Sequence, residues 1–192
     1  MSTEQKIARP ESLQPLLRKR YSTRSFLDRP VDLEILGRLF EAARWAPSCF
    51  NEQPWRFVIA ARHANREAFD AIASTIVSGN SWALQAPVLG IAIANLSFAR
   101  NGKPNRWAQY DTGQAMAHLT FQAQAEGISV HQMGGFDAPK AQQVLGIPAD
   151  HDAIAAFALG YPTDPEPPPN ASRRDLESIL FLGAYGEAWR SH

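Results

Sequence analysis

Apolar side chains recur along this chain at two spacings, which predict helices and strands. Helical spacing occurs over residues 12–20, 33–45, 65–76 and 137–145, and a long helix rich in small residues is predicted over 107–126. Short apolar runs predict strands over 56–60, 86–94, 128–132 and 153–159. The run 86–94 is almost entirely apolar, so we expect a central strand that is covered on both faces.

The order of these elements indicates the fold class. Helices and strands mix, but the strands are not regularly separated by crossover helices. We therefore predict an α+β fold, with a mostly antiparallel central sheet flanked by helices, rather than a doubly wound parallel sheet.

The composition changes at Tyr161, after which five prolines lie close together. Such a segment predicts an extended, polyproline-like arm. An apolar pattern resumes over 176–182, and an arm followed by an apolar anchor suggests contact with a second copy of the chain. We predict one domain over residues 1–192, with a C-terminal arm from about residue 161 that crosses the partner subunit.

Composition and charge exclude several classes of function. The chain has 192 residues, of which 45% are hydrophobic, and its 19 basic and 19 acidic residues balance. No net field therefore favours nucleic acid or anionic lipid as a partner. The polar start and the absence of a long apolar run predict no secretion signal and no membrane span, and the single cysteine, Cys49, fits a cytoplasmic protein without disulfides. The five histidines lack ligand spacing, so we predict no metal site.

A basic segment follows the first predicted helix and suits an anion. Arg20, Ser22 and Arg24 stand at alternate positions, which share one side of an extended segment. Two guanidiniums and a hydroxyl could converge there on one phosphate. Since Arg18 and Lys19 come just before, a solvated basic stretch is the alternative.

The loop after the second helix carries short hydrogen-bonding side chains. Pro47 restricts the backbone, and Ser48 and Asn51 can bond an edge of donors and acceptors such as the pyrimidine edge of an isoalloxazine. An ordinary helix-to-strand connection is the alternative. No histidine is placed by the sequence to activate Cys49, so we expect a structural cysteine rather than a nucleophile.

Gly134 and Gly135 interrupt the chain between a strand and a helix. Glycines let the backbone approach a ligand, and a main-chain N–H aimed at a flavin N5 would need such a place. A strand-to-helix turn with Asp137 as N-cap is the compatible alternative. Arg173 and Arg174, which follow the proline arm, are either further phosphate ligands or surface charge.

Together these segments resemble the nitroreductase family of FMN-dependent oxidoreductases. The pieces stand in family order: R-x-S-x-R-x-F from Arg20, A-P-S-x-x-N-x-Q-P-W from Ala46, D-x-G-x-A from Asp111 and G-G-F-D from Gly134, with a late arginine at Arg173. The resemblance covers most of the chain, from residue 20 to about residue 176.

The resemblance implies a homodimer with two FMN sites, each built from both subunits. One subunit supplies phosphate and ring-edge contacts through Arg20, Tyr21, Ser22 and Arg24, and the other supplies Pro47, Ser48, Cys49 and Asn51. By the same resemblance, one isoalloxazine face and N5 are lined by Gln132, Met133, Gly134 and Gly135, and Arg173 meets the phosphate. The chain departs from the family pattern at Ala171, where many relatives carry a basic residue, and in lacking a long lid insertion. Roles for Arg174 and Asn80 in FMN binding are left open.

The implied activity is an oxidoreductase reaction. Hydride would pass from NADH or NADPH through flavin N5 to an electron-poor small molecule such as a nitroaromatic or a quinone. This scheme requires no side-chain acid or base, so the sequence names no catalytic residue. Two alternatives stay open, a flavin-binding protein without turnover and a family offshoot with other flavin chemistry.

Overall fold

The computed structural model describes residues 5–168 and 170–189. The main sheet contains β2 (Trp55–Ala61), β3 (Val88–Asn95), β4 (Ser129–Met133) and β5 (His151–Gly160), and a separate pair is formed by β1 (Gln5–Ala8) and β6 (Asn170–Arg173). The main sheet has the order β2-β3-β5-β4, and each of its pairings is antiparallel. The predicted α+β class with an antiparallel central sheet is confirmed.

Helices cover both faces of this sheet. They are α1 (Pro15–Lys19), α2 (Leu33–Arg44), α3 (Arg66–Ala73), α4 (Ala108–Ala125) and α5 (Ala138–Leu145). Side chains of α2 and α4 pack with the sheet in one core cluster, and those of α3 and α5 pack in a second cluster on the other face. None of the helices in the described ranges is long and apolar enough to cross a membrane.

The central strand β3 is buried along its length up to Asn95, as its apolar run predicts. Gly90 lies opposite Phe157 of β5, and a Cβ at Gly90 would stand 2.2 Å from the ring atom Cζ. The glycine therefore makes room for a fully buried phenylalanine ring in the middle of the sheet.

Some of the observed helix ends agree with those predicted from the sequence. The side chain of Asp137 accepts a hydrogen bond from Lys140 N and caps α5, and Gly127 has a positive φ of 71° just after α4. The first helix begins at Pro15, later than the predicted start at residue 12. Proline suits a first helical position because its missing N–H would have no helical partner there.

The segment predicted as an arm forms hydrogen bonds with its own chain. The Tyr21 hydroxyl donates to the carbonyl of Asp164, and Arg9 donates to the carbonyl of Pro168. The arm then forms β6, which pairs with β1. Beyond β6 several large apolar side chains are exposed, including Ile179 and a Tyr185 that is 95% exposed. Both the single-domain boundary and the crossing to a partner stay predictions.

Candidate functional site

Three guanidiniums meet beside the small β1–β6 sheet, and we call Arg9, Arg20 and Arg173 the arginine cluster. Arg9 follows β1, Arg173 ends β6, and both line one hollow with Arg20. Burial lowers the pKa of Arg20, and the charges of Arg173 and Arg9 lower it further. Within the described residues no salt bridge involves any of the three. An unneutralised group of fork-shaped donors has the chemistry of a phosphate site, so these residues fit the phosphate of FMN.

A second hollow adjoins the cluster through Arg20. Arg20 Nη1 donates to Ser22 Oγ at 3.2 Å, and both residues line a cavity of about 260 Å³ together with Gln132. Gln132 Nε2 donates to Thr120 Oγ1 of α4 at 3.3 Å. The structure thus brings together three predicted site residues from two distant parts of the sequence.

Arg24 lines a neighbouring hollow with Tyr21 and Ser22, and its guanidinium lies beside an aromatic ring. Its guanidinium carbon lies 5.7 Å from the ring centroid of Trp82, and the Trp82 and His131 rings have centroids 4.3 Å apart. His131 Nδ1 donates to the carbonyl of Thr23 at 2.7 Å, which joins β4 to the basic segment. Burial lowers the pKa of His131. The hydrogen bond to Thr23 raises this pKa, and the charges of Arg24 and Arg20 lower it further. The lowered pKa favours the neutral imidazole beside two cations.

The strand end at Met133–Gly135 is fixed by packing. The Met133 side chain is buried in the core on the α3 and α5 face, whereas a Cβ at Gly134 would meet open space. Asn80 Nδ2 donates to the Gly135 carbonyl at 2.9 Å, and a Cβ at Gly135 would stand 2.4 Å from that nitrogen. Asn80, a candidate ring contact in the sequence, thus holds the glycine turn in place.

The loop over 47–51 is held in an unusual backbone conformation. Cys49 N donates to Asp111 Oδ2 at 2.9 Å, and Ser48 Oγ accepts from Gln53 N at 3.0 Å. Phe50, Asn51 and Gln53 have positive φ angles of 54°, 58° and 51°. Such angles are costly for residues other than glycine and cluster at functional sites.

Within one chain, the loop over 47–51 and the Arg20 cavity lie beside different parts of α4. The loop is bound to Asp111 in the first turn, whereas Thr120, which lines the Arg20 cavity, lies nine residues later. At about 1.5 Å per residue, the axial separation is about 13 Å. The chain therefore brings together Arg20, Ser22, Gln132 and Arg173, but its Pro47, Ser48, Cys49 and Asn51 form a second group.

Several residues around the site were missed from the sequence. Arg9 has no sequence signal, because only the β1–β6 pairing brings it near Arg20. Asp111 stands in the D-x-G-x-A motif of the resemblance, but its role in holding the loop was missed; it is only 3% exposed. Trp82 and His131 gave no periodic signal. Over residues 5–168 and 170–189, no group of acidic, cysteine and histidine side chains could hold a metal ion.

Comparison with known proteins identifies the class to which this fold and site belong. The sequence pattern of the nitroreductase family matches residues 17–161, which is most of the chain. The chain therefore belongs to the nitroreductase family. The predictions of the family, of its fold and of a flavin oxidoreductase are confirmed.

Individual relatives cover nearly the whole chain. A Thermus thermophilus protein named NADH dehydrogenase is 29% identical over 85% of this chain and 92% of its own length. A Rhodospirillum rubrum protein named 5,6-dimethylbenzimidazole synthase is 27% identical over 88% of this chain and 90% of its own. A crystal structure described as an oxidoreductase containing FMN superposes with a TM-score of 0.84 at 30% identity, covering 93% of this chain and 96% of that chain.

Proposed function

We propose that this protein uses FMN to pass hydride from NADH or NADPH to an electron-poor small molecule, such as a nitroaromatic or a quinone. The observation that carries the proposal is the arginine cluster, in which Arg20 and Arg173 lie together without a carboxylate partner in the described part of the chain. The FMN of the structural neighbour and the name of the Thermus relative support the choice of cofactor and donor.

The arginine cluster would bind the phosphate of FMN, and the adjoining cavity would hold its ring. Arg20 and Arg173 would bind the phosphate, with Ser22 held by Arg20 at the start of the basic segment. Gln132 and the turn at Gly134 and Gly135 would line the ring. FMN held by these residues would supply the redox chemistry, the transfer of hydride from the nicotinamide donor to the acceptor. The protein supplies position, charge and exclusion of water.

Two features support a homodimer with a shared site. The loop over 47–51 is bound to the first turn of α4, about 13 Å along the helix axis from the Arg20 cavity, and a second copy would bring its own loop to the ring. Large apolar side chains are also exposed where a partner would cover them, among them Leu33, Trp45 and Leu182. The proposed contacts from the second copy are Pro47, Ser48, Cys49 and Asn51, with Tyr21 and Arg24 completing the first copy's ring-edge contacts.

Other flavin chemistry is the second candidate. The relative named 5,6-dimethylbenzimidazole synthase favours it, because that name describes a synthase rather than an acceptor reduction. The two candidates differ in what happens to electrons taken from NADH or NADPH.

Anaerobic stopped-flow absorbance tests the proposed function. FMN-loaded protein should lose its flavin absorbance on mixing with NADH or NADPH, and a nitroaromatic or quinone should restore it in a second mix. Size-exclusion chromatography of the same sample should give a dimer. Flavin that neither donor bleaches would refute the oxidoreductase, and bleached flavin that no such acceptor reoxidises would favour the second candidate.

A further inference from the structure

A short hairpin fills the space between β3 and α4, and we call residues 96–107 the basic hairpin. Phe98 N donates to Lys103 O at 2.8 Å, and Asn105 N donates to Leu96 O at 2.7 Å. Asn105 also accepts from Trp107 N through its side chain, at 3.0 Å, which joins the hairpin to the start of α4. These bonds hold the hairpin in a defined position on the surface.

The hairpin carries cations without partners. It contains Arg100, Lys103 and Arg106 and no acidic residue. All three side chains are exposed, and none forms a salt bridge within the described residues. Glu52 Oε1 accepts from Ala99 N at 2.7 Å and Asp111 Oδ2 accepts from Cys49 N, and neither carboxylate forms a salt bridge with a hairpin cation. The positive charge is therefore available to an anion from solution.

Exposed aromatic rings lie beside these cations. The Arg100 guanidinium carbon is 4.1 Å from the ring centroid of Phe50, and the Arg106 carbon is 4.7 Å from that of Trp107. Phe50 is 71% exposed, so most of its surface remains open. A flat ring next to a guanidinium can stack an aromatic base while the guanidinium bonds a phosphate. The combination suits an adenine nucleotide.

The hairpin contacts Phe50 of the loop over 47–51 and Glu52, the residue after this loop. Arg100 stacks on Phe50, the Phe50 and Phe98 rings meet edge to face, and Ala99 N donates to Glu52. Phe50 also has a positive φ of 54°, a conformation that turns this ring-bearing residue out of the regular helix path at a cost in energy. If the loop borders the flavin, as the proposed function requires, the basic hairpin lies at the rim of the same site.

We propose that the basic hairpin binds the phosphate-bearing half of the reduced nicotinamide dinucleotide while the nicotinamide ring reaches the flavin. This inference rests on the proposed function. Arg100 and Arg106 would bond phosphate oxygens, and Phe50 or Trp107 would stack the adenine. The shared chemistry is a phosphate beside a base, which NADH offers as a pyrophosphate and NADPH as a pyrophosphate and a 2′-phosphate.

Steady-state kinetics with three donors tests the inference on FMN-loaded protein. NADPH and NADH carry phosphates, whereas 1-benzyl-1,4-dihydronicotinamide carries neither phosphate nor adenine. Arg100→Ala and Arg106→Ala should each raise KM for the dinucleotides about tenfold, the effect of losing one charge-assisted bond. The kinetics with the benzyl donor should not change. A larger loss for NADPH than for NADH would assign the 2′-phosphate to the hairpin, and an equal loss would assign the pyrophosphate.

The matched control is Arg66→Ala, which removes one exposed arginine from α3, where it pairs with Asp70. It should change KM for none of the donors. Added salt should raise KM for NADPH more in the unaltered protein than in the Arg100→Ala variant, because salt screens the charge contact that the variant lacks.

Unchanged KM values for both dinucleotides in both hairpin variants would overturn the inference. Equal losses for all three donors would overturn it as well, because a phosphate contact cannot affect the benzyl donor. An unaltered protein that oxidises none of the donors would instead refute the proposed function itself.

Discussion

Replacing Asp111 by alanine should release the loop over 47–51. The buried carboxylate accepts from Cys49 N at 2.9 Å and, more weakly, from Gln114 Nε2 at 3.4 Å. A hydrogen bond to a charged group contributes about 1.5–3 kcal/mol to stability. Two residues of the loop, Phe50 and Asn51, have a positive φ, and each such angle costs on the order of 1–3 kcal/mol. The carboxylate therefore offsets only part of this strain, and its loss lets the backbone relax.

The size of the effect follows from that bond. Asp111→Ala should lower the free energy of unfolding by about 2–3 kcal/mol, since Cys49 N loses its charged acceptor. If the relaxed loop no longer contacts the flavin, a comparable loss of binding energy raises the Kd for FMN by about 30-fold or more. Asp111→Asn keeps an oxygen acceptor without the charge and should cost about 1 kcal/mol. Urea unfolding and titration of flavin fluorescence measure the two quantities.

Asp70→Ala is the control, because it removes a carboxylate from an exposed ion pair with Arg66 on α3. It should change stability by less than about 1 kcal/mol and leave FMN binding unchanged. Asp111→Ala protein that is destabilised but binds FMN normally would show that the loop does not contact the cofactor. If neither quantity changes, the hydrogen bond from Cys49 does not hold the loop.

Two further predictions concern the sheet and its edge. Gly90→Ala places a Cβ 2.2 Å from Phe157 Cζ, so it should lower the free energy of unfolding by about 1–3 kcal/mol or more, and Phe157→Leu in the same chain should restore part of the loss in thermal unfolding. Independent, additive effects would contradict this steric account. The folded state lowers the pKa of His131 below 6.5, so the unfolded chain binds more protons and stability should fall as pH drops below about 6.5. His131→Gln should remove that part of the pH dependence of urea unfolding, and an unaltered pH profile would contradict the assignment.

The sequence predicts those elements whose apolar spacing is regular. All four main strands and the helices α2 to α5 form close to the predicted ranges, because each has one face or both against the core. The 3₁₀ segment Ser78–Gln85 was missed, since it has no periodic apolar face. The pairing of β1 with β6 was missed because it joins the two ends of the described chain and no local pattern encodes it.

The candidate site, like the fold, was predictable from the sequence only in part. Arg20, Ser22 and Gln132 were predicted from the motifs of the resemblance, and one chain brings them together. Arg9 depends on a contact across the fold, which a linear pattern does not contain. Asp111 belongs to a motif of the resemblance, but its hydrogen bond to Cys49 was not predicted. The contact of Arg24 with Trp82 was not predictable from the sequence either. Alternate spacing fixes the side of the backbone on which a residue lies, but not the final contact of a long side chain.

The position of β3 in the sheet has a consequence for synthesis on the ribosome. One of its edges pairs with β2, which is made earlier, but the other edge pairs with β5, and α4, β4 and α5 are made in between. Until β5 emerges, the nascent chain presents an apolar strand with an open edge, a form that associates readily with other chains. Translation that stalls anywhere between β3 and β5 should therefore yield a product that depends on chaperones, whereas a product that extends past Gly160 can pair both edges of β3.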